Sequence, residues 1–174
     1  MKNLLLLSLL TILTACSSGG GTIPDKTYYR FAEPQQPVQH ASITKINRPS
    51  ALGILGSRPI VAQNATGGLV QMNHNLWLES PKVLLQNYLI KYFSLTSTQH
   101  SGNSLMVEIL HLEKKQNQAV IELKFSVSNH NDEIIFSQSY RQQNSMEHNS
   151  IVDFVHAINQ SLAVIVEKFR SDFP

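Results

Sequence analysis

The chain contains very little cysteine and little charge. Its 174 residues include one cysteine, and charged residues make up 15% of the composition, with a net charge of +2 at pH 7. A single cysteine excludes an intrachain disulfide, so the fold must rest on packing. Lys and Arg are not clustered, and the densest basic feature is Lys114-Lys115 beside Glu113. Because nucleic-acid binding depends on clustered basic residues, we expect no nucleic-acid partner.

The sequence also lacks the short motifs of common enzyme classes. It contains no Gly-x-Ser-x-Gly elbow, no His-Glu-x-x-His, no Walker glycine loop and no paired-carboxylate motif. No two of its seven histidines stand at the spacing of a metal site, and the nearest pair, His148 and His156, lies on two sides of a predicted helix start. We therefore predict no catalytic residue, no metal and no cofactor. A serine-histidine triad assembled from distant segments stays open.

The one long apolar run, Leu4 to Leu13, lies near the N-terminus. It is too short to span a bilayer, because a transmembrane helix needs about 20 apolar residues. Leu-Thr-Ala-Cys at 13–16 follows the pattern of a bacterial lipobox. We predict a lipoprotein signal peptide over residues 1–15, cleaved between Ala15 and Cys16, with a covalent lipid on Cys16. The alternative is an ordinary secretory cleavage that leaves a free thiol.

Acylation would anchor the mature chain to a membrane. Each buried methylene contributes about 0.8 kcal/mol, so two or three acyl chains, as bacterial lipoproteins carry, anchor stably. Ser17 follows the cysteine where an aspartate would resemble an inner-membrane retention signal. In a two-membrane bacterium this favours the outer membrane, with the domain facing the periplasm. Residues 16–27, rich in Ser and Gly at their start, predict a flexible linker, and residues 28–174 predict one domain.

Hydrophobic periodicity predicts an α+β domain. Short strands are expected at 28–31, 42–47, 59–63, 69–72, 105–112 and 119–127, with a returning strand after the turn at 129–132. In residues 105–112, apolar side chains occupy both the odd and the even positions, which is typical of a central strand that is buried on both faces. Residues 64–68, Asn-Ala-Thr-Gly-Gly, have the composition of a hairpin turn. Helices are expected from Ser80-Pro81 to Phe93, with an apolar stripe that includes Tyr88 and Tyr92, and, after a capping box at Ser150 and Asp153, from about Ile151 to Phe169. Together these elements predict an antiparallel sheet with two helices packed against it.

Several segments together resemble one family. A Tyr-Tyr-x-Phe strand at 28–31, Arg-Pro-Ile-Val at 58–61 and an asparagine-rich approach to Trp77 before a helix follow the lipobox in order. In this order they resemble the ABC-type transport auxiliary lipoproteins, the group typified by paraquat-inducible protein C (PqiC). The resemblance covers roughly Tyr28 to Phe169.

The resemblance implies a non-catalytic component of a lipid-trafficking system. Its expected partners are a periplasmic Mce-domain protein, inner-membrane transport components reached indirectly, and outer-membrane lipid. A homo-oligomer, such as a ring formed by several copies of this chain, is also compatible with the resemblance. Two other functional classes share the anchor: an assembly factor or plug for an outer-membrane barrel and, with less support, an envelope hydrolase.

Three residues of the resembling segments are candidate fold or partner contacts. Trp77, the sole tryptophan, suits a core position that sets the angle of the following helix. It also suits a contact with lipid or a partner, because amphipathic aromatic side chains are enriched at interfaces. Arg58 and Pro59 suit the start of a strand, since proline lacks an N–H, or a partner contact.

Overall fold

The computed structural model describes residues 25–40, 42–95 and 102–173. Its elements are β1 (Thr27–Tyr29), β2 (Ile43–Ile46), β3 (Ser50–Ala51), a 3-10 helix (Gly53–Gly56), β4 (Pro59–Gln63), β5 (Leu69–Trp77), α1 (Pro81–Tyr92), β6 (Asn103–Lys115), β7 (Gln118–Ser128), β8 (Ile134–Ser145) and α2 (Ile151–Asp172). The predicted signal peptide and Cys16 lie outside the described residues. Within the described ranges, no helix has the length and hydropathy needed to span a membrane.

The strands form one sheet in the order β1-β5-β4-β6-β7-β8. The long strand β6 is central: β7 pairs antiparallel along one edge, and β2, β3 and β4 pair parallel, one after another, along the other edge. The predicted α+β class, with two helices packed on one sheet, is confirmed. The sheet is mixed, however, rather than antiparallel. Parallel pairing needs a connection that returns the chain to its starting end, and β5 with α1 supplies that connection between β4 and β6.

The core lies between the sheet and α2. Alternate residues of β7 from Ala119 to Val127 are almost completely buried, as the alternating pattern predicts. The Phe125 ring stacks on Phe169 of α2 with 4.5 Å between centroids. This contact joins the middle of the sheet to the last turns of α2.

One prediction about β6 is wrong. Leu105, Val107 and Ile109 are buried, but Met106 between them is 47% exposed. The register against β7 shifts after Ile109, and this irregularity moves Leu112 into the core. A bulge inserts one extra residue and so changes whether odd or even positions face the core. The apolar residues at both odd and even positions therefore reflect this change along the strand rather than burial on both faces.

Both helices begin where the capping residues predict. The Ser80 hydroxyl accepts the Val83 N–H at 3.4 Å, and the Ser150 hydroxyl accepts the Asp153 N–H at 3.0 Å. Such bonds satisfy amide groups that lack a partner in the first turn. The Asp153 carboxylate accepts the His148 N–H at 3.0 Å and so fastens the chain just before α2.

Candidate functional site

Trp77 ends β5 inside the core. Its side chain is 1% exposed. The indole meets the Phe31 ring edge-on with centroids 5.2 Å apart, and lies 6.3 Å from the ring of Phe154 on α2. The indole therefore links the sheet, α2 and the chain that follows β1. Lipid or a partner could touch it only if these contacts opened.

Arg58 lies against the backbone of Trp77. The Trp77 N–H donates to the Arg58 carbonyl at 2.7 Å, and the Arg58 Nε donates to the Trp77 carbonyl at 3.2 Å. The Arg58 guanidinium also lies over the Tyr28 ring, 5.4 Å from its centroid, at a distance typical of a cation–π contact. Pro59 begins β4 opposite Leu76. Three segments that are far apart in the sequence thus meet where β1, β4 and β5 join.

A groove of about 760 Å³ lies between α1 and α2. Its volume is within the range of small-molecule and peptide sites. The residues that line it come from three parts of the chain: Ala32, Glu33, Gln35 and Gln36 after β1; Tyr88 and Tyr92 of α1; and Val152, Val155, His156, Asn159, Gln160, Ala163 and Glu167 of α2. This mixture of apolar side chains and side-chain amides is suited to binding another molecule rather than to packing alone.

The wall after β1 is fastened to both helices. The Ala32 N–H donates to the Asn159 side-chain oxygen on α2 at 2.9 Å. The Lys91 ammonium on α1 donates to both oxygens of Glu33 at 2.6 and 2.7 Å. Phe31, immediately before the wall, is buried against Trp77. The position of this wall therefore depends on the aromatic contact beneath it.

A tyrosine and a carboxylate join the two helices at one end of the groove. The Tyr92 hydroxyl donates to Glu167 Oε1 at 2.5 Å, and the Arg170 guanidinium donates to Oε2 at 2.9 Å. Burial, followed by the bond to Glu167, raises the pKa of Tyr92, and burial also raises the pKa of Tyr88. The bond from Tyr92 lowers the pKa of Glu167. At neutral pH the groove therefore presents neutral phenols and an ionised carboxylate that is already paired.

The described lining of the groove contains no Ser, Thr, Cys or Lys, and its histidine, His156, lies 3.3 Å from the Gln160 amide. Across residues 25–40, 42–95 and 102–173, no cluster of three or more His, Cys, Asp or Glu is arranged to hold a metal.

A serine-histidine contact does exist outside the groove. The Ser42 hydroxyl lies 3.1 Å from His40 Nδ1, and His40 Nε2 lies 2.8 Å from the Phe173 carbonyl. The imidazole is buried, parallel to the Phe173 ring and edge-on to Phe93. These contacts tie the end of α2 to the chain before β2, and a packed ring of this kind serves as a structural clamp.

The sequence placed Tyr88 and Tyr92 in the apolar stripe of α1 but did not identify the groove. Two tyrosines one turn apart, in a stripe otherwise made of leucine and phenylalanine, were the available signal, because a buried phenol needs a partner for its hydroxyl. Glu167 gave no comparable signal. Its partner on α1 is 75 residues away in the chain.

Comparisons with known proteins give a family and a fold. A family model described as ABC-type transport auxiliary lipoprotein component matches residues 29–168. A crystal structure of an uncharacterized protein superposes with a TM-score of 0.72 at 14% identity, covering 86% of this chain and 99% of that chain. Protein XCC0632 from Xanthomonas campestris, of the DUF330 family, gives 0.70 at 16% identity, with coverages of 82% and 92%. At such identities the two structures show a shared fold alone. A comparison with proteins of curated function finds no match.

Proposed function

This chain belongs to the ABC-type transport auxiliary lipoprotein component family, and from that membership we propose that it is a non-catalytic auxiliary lipoprotein of an Mce/ABC-type intermembrane lipid transport system. It is anchored in the outer membrane, faces the periplasm and docks the transport machinery there, which supports envelope integrity. The family match over residues 29–168 carries the proposal, since it spans the fold from β1 into the last turns of α2.

The anchor supplies the physical advantage of such a protein. Acylated Cys16 holds the domain at the membrane, where tethering raises its local concentration. Tethering of this kind converts a modest affinity into stable docking, because the second binding event becomes intramolecular. No catalytic group is needed for this task, and transport energy comes from another chain.

The groove between α1 and α2 is the surface that we assign to the Mce-domain partner. A groove between two helices that is lined by both apolar and polar side chains is suited to an amphipathic segment of another protein. Val152 at one end of the groove is exposed, as is Ala163 farther along α2. The wall at residues 32–36 is held by bonds to both helices, so the groove is formed before a partner arrives and little ordering entropy is lost on binding.

A photo-crosslinking amino acid at Ala163, introduced in intact envelopes, tests this proposal. Ala163 lines the groove, and the adjacent Val164 is exposed but does not line it. We expect crosslinking from position 163 to recover an Mce-domain protein, with much less recovery from position 164. Recovery of an outer-membrane barrel from position 163 would instead favour the barrel-assembly class, and equal recovery from both positions would contradict the assignment of the groove.

A further inference from the structure

The β4–β5 hairpin is uncharged over its whole length. From Pro59 to Leu78 the sequence contains no Asp, Glu, Lys or Arg. Near its tip, Leu69 is 42% exposed and Val70 is 43% exposed. An uncharged hairpin with two adjacent exposed aliphatic side chains loses little hydration when it meets a lipid surface.

Most amide groups in the turn of this hairpin are paired within the turn. The Asn64 side-chain oxygen accepts the N–H groups of Thr66 at 3.1 Å and Gly68 at 2.8 Å. The Gly67 N–H donates to the Asn64 carbonyl at 3.1 Å, with φ at +87°, a conformation that glycine adopts without strain. Paired amides favour entry toward the acyl chains, because an unpaired N–H in the hydrocarbon of a bilayer costs roughly several kcal/mol.

Charge distinguishes the two ends of the sheet. At the hairpin end, Ala62 and Gln63 pair with Lys114 and Lys115 of β6. At the other end, Asp132 and Glu133 directly precede exposed Ile134, with Lys45 of β2 in the same row of the sheet. Phospholipid phosphates attract the lysine end and repel the acidic end.

The N-terminal end of β1 lies toward the same end of the sheet. β1 runs parallel to β5 with Thr27 opposite Asn75. Leu69 lies six residues back along β5 from Asn75, which corresponds to about 20 Å at about 3.3 Å per residue. The residues from Cys16 to Lys26 can cover at most about 35 to 40 Å. An acyl group on Cys16 can thus lie in a membrane that touches the hairpin tip.

We propose that the tip of the β4–β5 hairpin contacts the phospholipid surface in which Cys16 is anchored. Leu69 and Val70 enter the boundary between headgroups and acyl chains. The lysine pair at the end of β6, of which Lys114 already donates to the Gln116 carbonyl and to Asn149, lies on the side of the phosphates. The proposal rests on the lipid anchor of the proposed function. With the covalent anchor, this second contact sets the orientation of the domain on the membrane, so that the docking groove is presented at a fixed angle.

Site-specific fluorescence in vesicles tests the contact. The full acylated chain is reconstituted in phosphatidylethanolamine and phosphatidylglycerol vesicles after Leu69→Cys, and the new thiol is labelled with a polarity-sensitive dye; acylated Cys16 does not react. Ile135→Cys is the matched control, because Ile135 is 50% exposed and lies at the acidic end of the sheet. We expect lipid-borne quenchers to reduce the signal at position 69 by severalfold more than at position 135.

Three further results would contradict the membrane contact of the hairpin or the acylation of Cys16 on which it depends. Equal quenching at the two positions, or no quenching at position 69 when Cys16 is acylated, overturns the hairpin contact and leaves the transport proposal standing. Absence of acyl chains on Cys16 by mass spectrometry overturns both. Val70→Cys supplies a second labelled variant, so the outcome does not depend on the tolerance of one position.

Discussion

The indole of Trp77 and the ring of Phe31 meet edge-on, 5.2 Å between centroids, directly beneath the wall of the groove. The residue after Phe31 is bonded to α2, and the next one is paired with Lys91 of α1. The tryptophan that marks the family resemblance in sequence is thus a buried support for a surface feature that it does not reach itself.

Removal of this support should destabilise the protein and loosen the wall. We expect Trp77→Ala to lower the free energy of unfolding by about 3 to 5 kcal/mol, because it deletes a large buried ring and leaves a cavity. Urea denaturation measures the loss. Leu78→Ala, at the neighbouring exposed position, should change stability by less than about 0.5 kcal/mol. Losses of similar size in the two variants would contradict the described role of the indole.

The hydrogen bond between Tyr92 and Glu167 should contribute measurably to the free energy of unfolding at neutral pH. Tyr92→Phe removes a donor to a charged, partly exposed carboxylate, and we expect a loss of about 1 to 2 kcal/mol in the free energy of unfolding. A Tyr28→Phe variant, changed at an exposed ring, should lose much less. An unchanged stability of Tyr92→Phe at pH 7 would indicate that the 2.5 Å contact contributes nothing net.

Alkaline pH should weaken the wild-type fold through the same tyrosine. Burial, then the bond to Glu167, raises the pKa of Tyr92 above its ordinary value of 10.0. Because the pKa of Tyr92 is higher in the folded than in the unfolded chain, the unfolded chain ionises first as the pH rises. The stabilisation by neutral Tyr92 is therefore fully present below pH 10.0, and it is lost as the pH rises toward the pKa of the folded state. The fall in stability above pH 10 should therefore be less steep in Tyr92→Phe. Thermal unfolding of both proteins at several pH values from about 8 to about 11, a range around the ordinary tyrosine pKa, measures the difference in slope.

A bulky charge in the groove should block the partner without unfolding the domain. Ala163→Arg places a long side chain on the exposed face of α2 inside the groove, while Val164→Arg places the same side chain beside it. Both changes are compatible with a helix, so we expect stability within about 0.5 kcal/mol of wild type. Co-purification with the proposed Mce-domain partner should fall at least severalfold for Ala163→Arg only. Equal binding by the two variants would exclude the groove as the docking surface.

Loss of the anchor should separate folding from function. Cys16→Ala removes the thiol that we predict to carry the lipid, whereas the described domain begins beyond it. We expect the variant to fold with an unchanged unfolding midpoint, to leave the membrane fraction and to fail to restore detergent resistance to a deletion strain. Full complementation by Cys16→Ala would contradict the proposed role of the lipid.

Local patterns predicted most of the elements. The alternation of β7, the Asn-Gly-rich turn of the β4–β5 hairpin and the serine caps of α1 and α2 depend on neighbours in the sequence, and the structure has each of them. The two-sided burial of β6 was wrong, because a parity change within one strand depends on its partner strand. The sense of the strand pairing was also beyond local patterns, since no pattern between residues 59 and 115 indicates that β4 pairs parallel with β6.

The sequence by itself determined the composition limits, the lipobox-like pattern at 13–16 and the amphipathic segments, because each is a property of adjacent or periodically spaced residues. The tertiary structure decided what distant residues do together. It brought Arg58 against Trp77, placed the residues after Phe31 as a wall between two helices, and joined Tyr92 to Glu167 across 75 positions. These contacts arise from burial of the shared core, which brings together side chains that no sequence pattern relates.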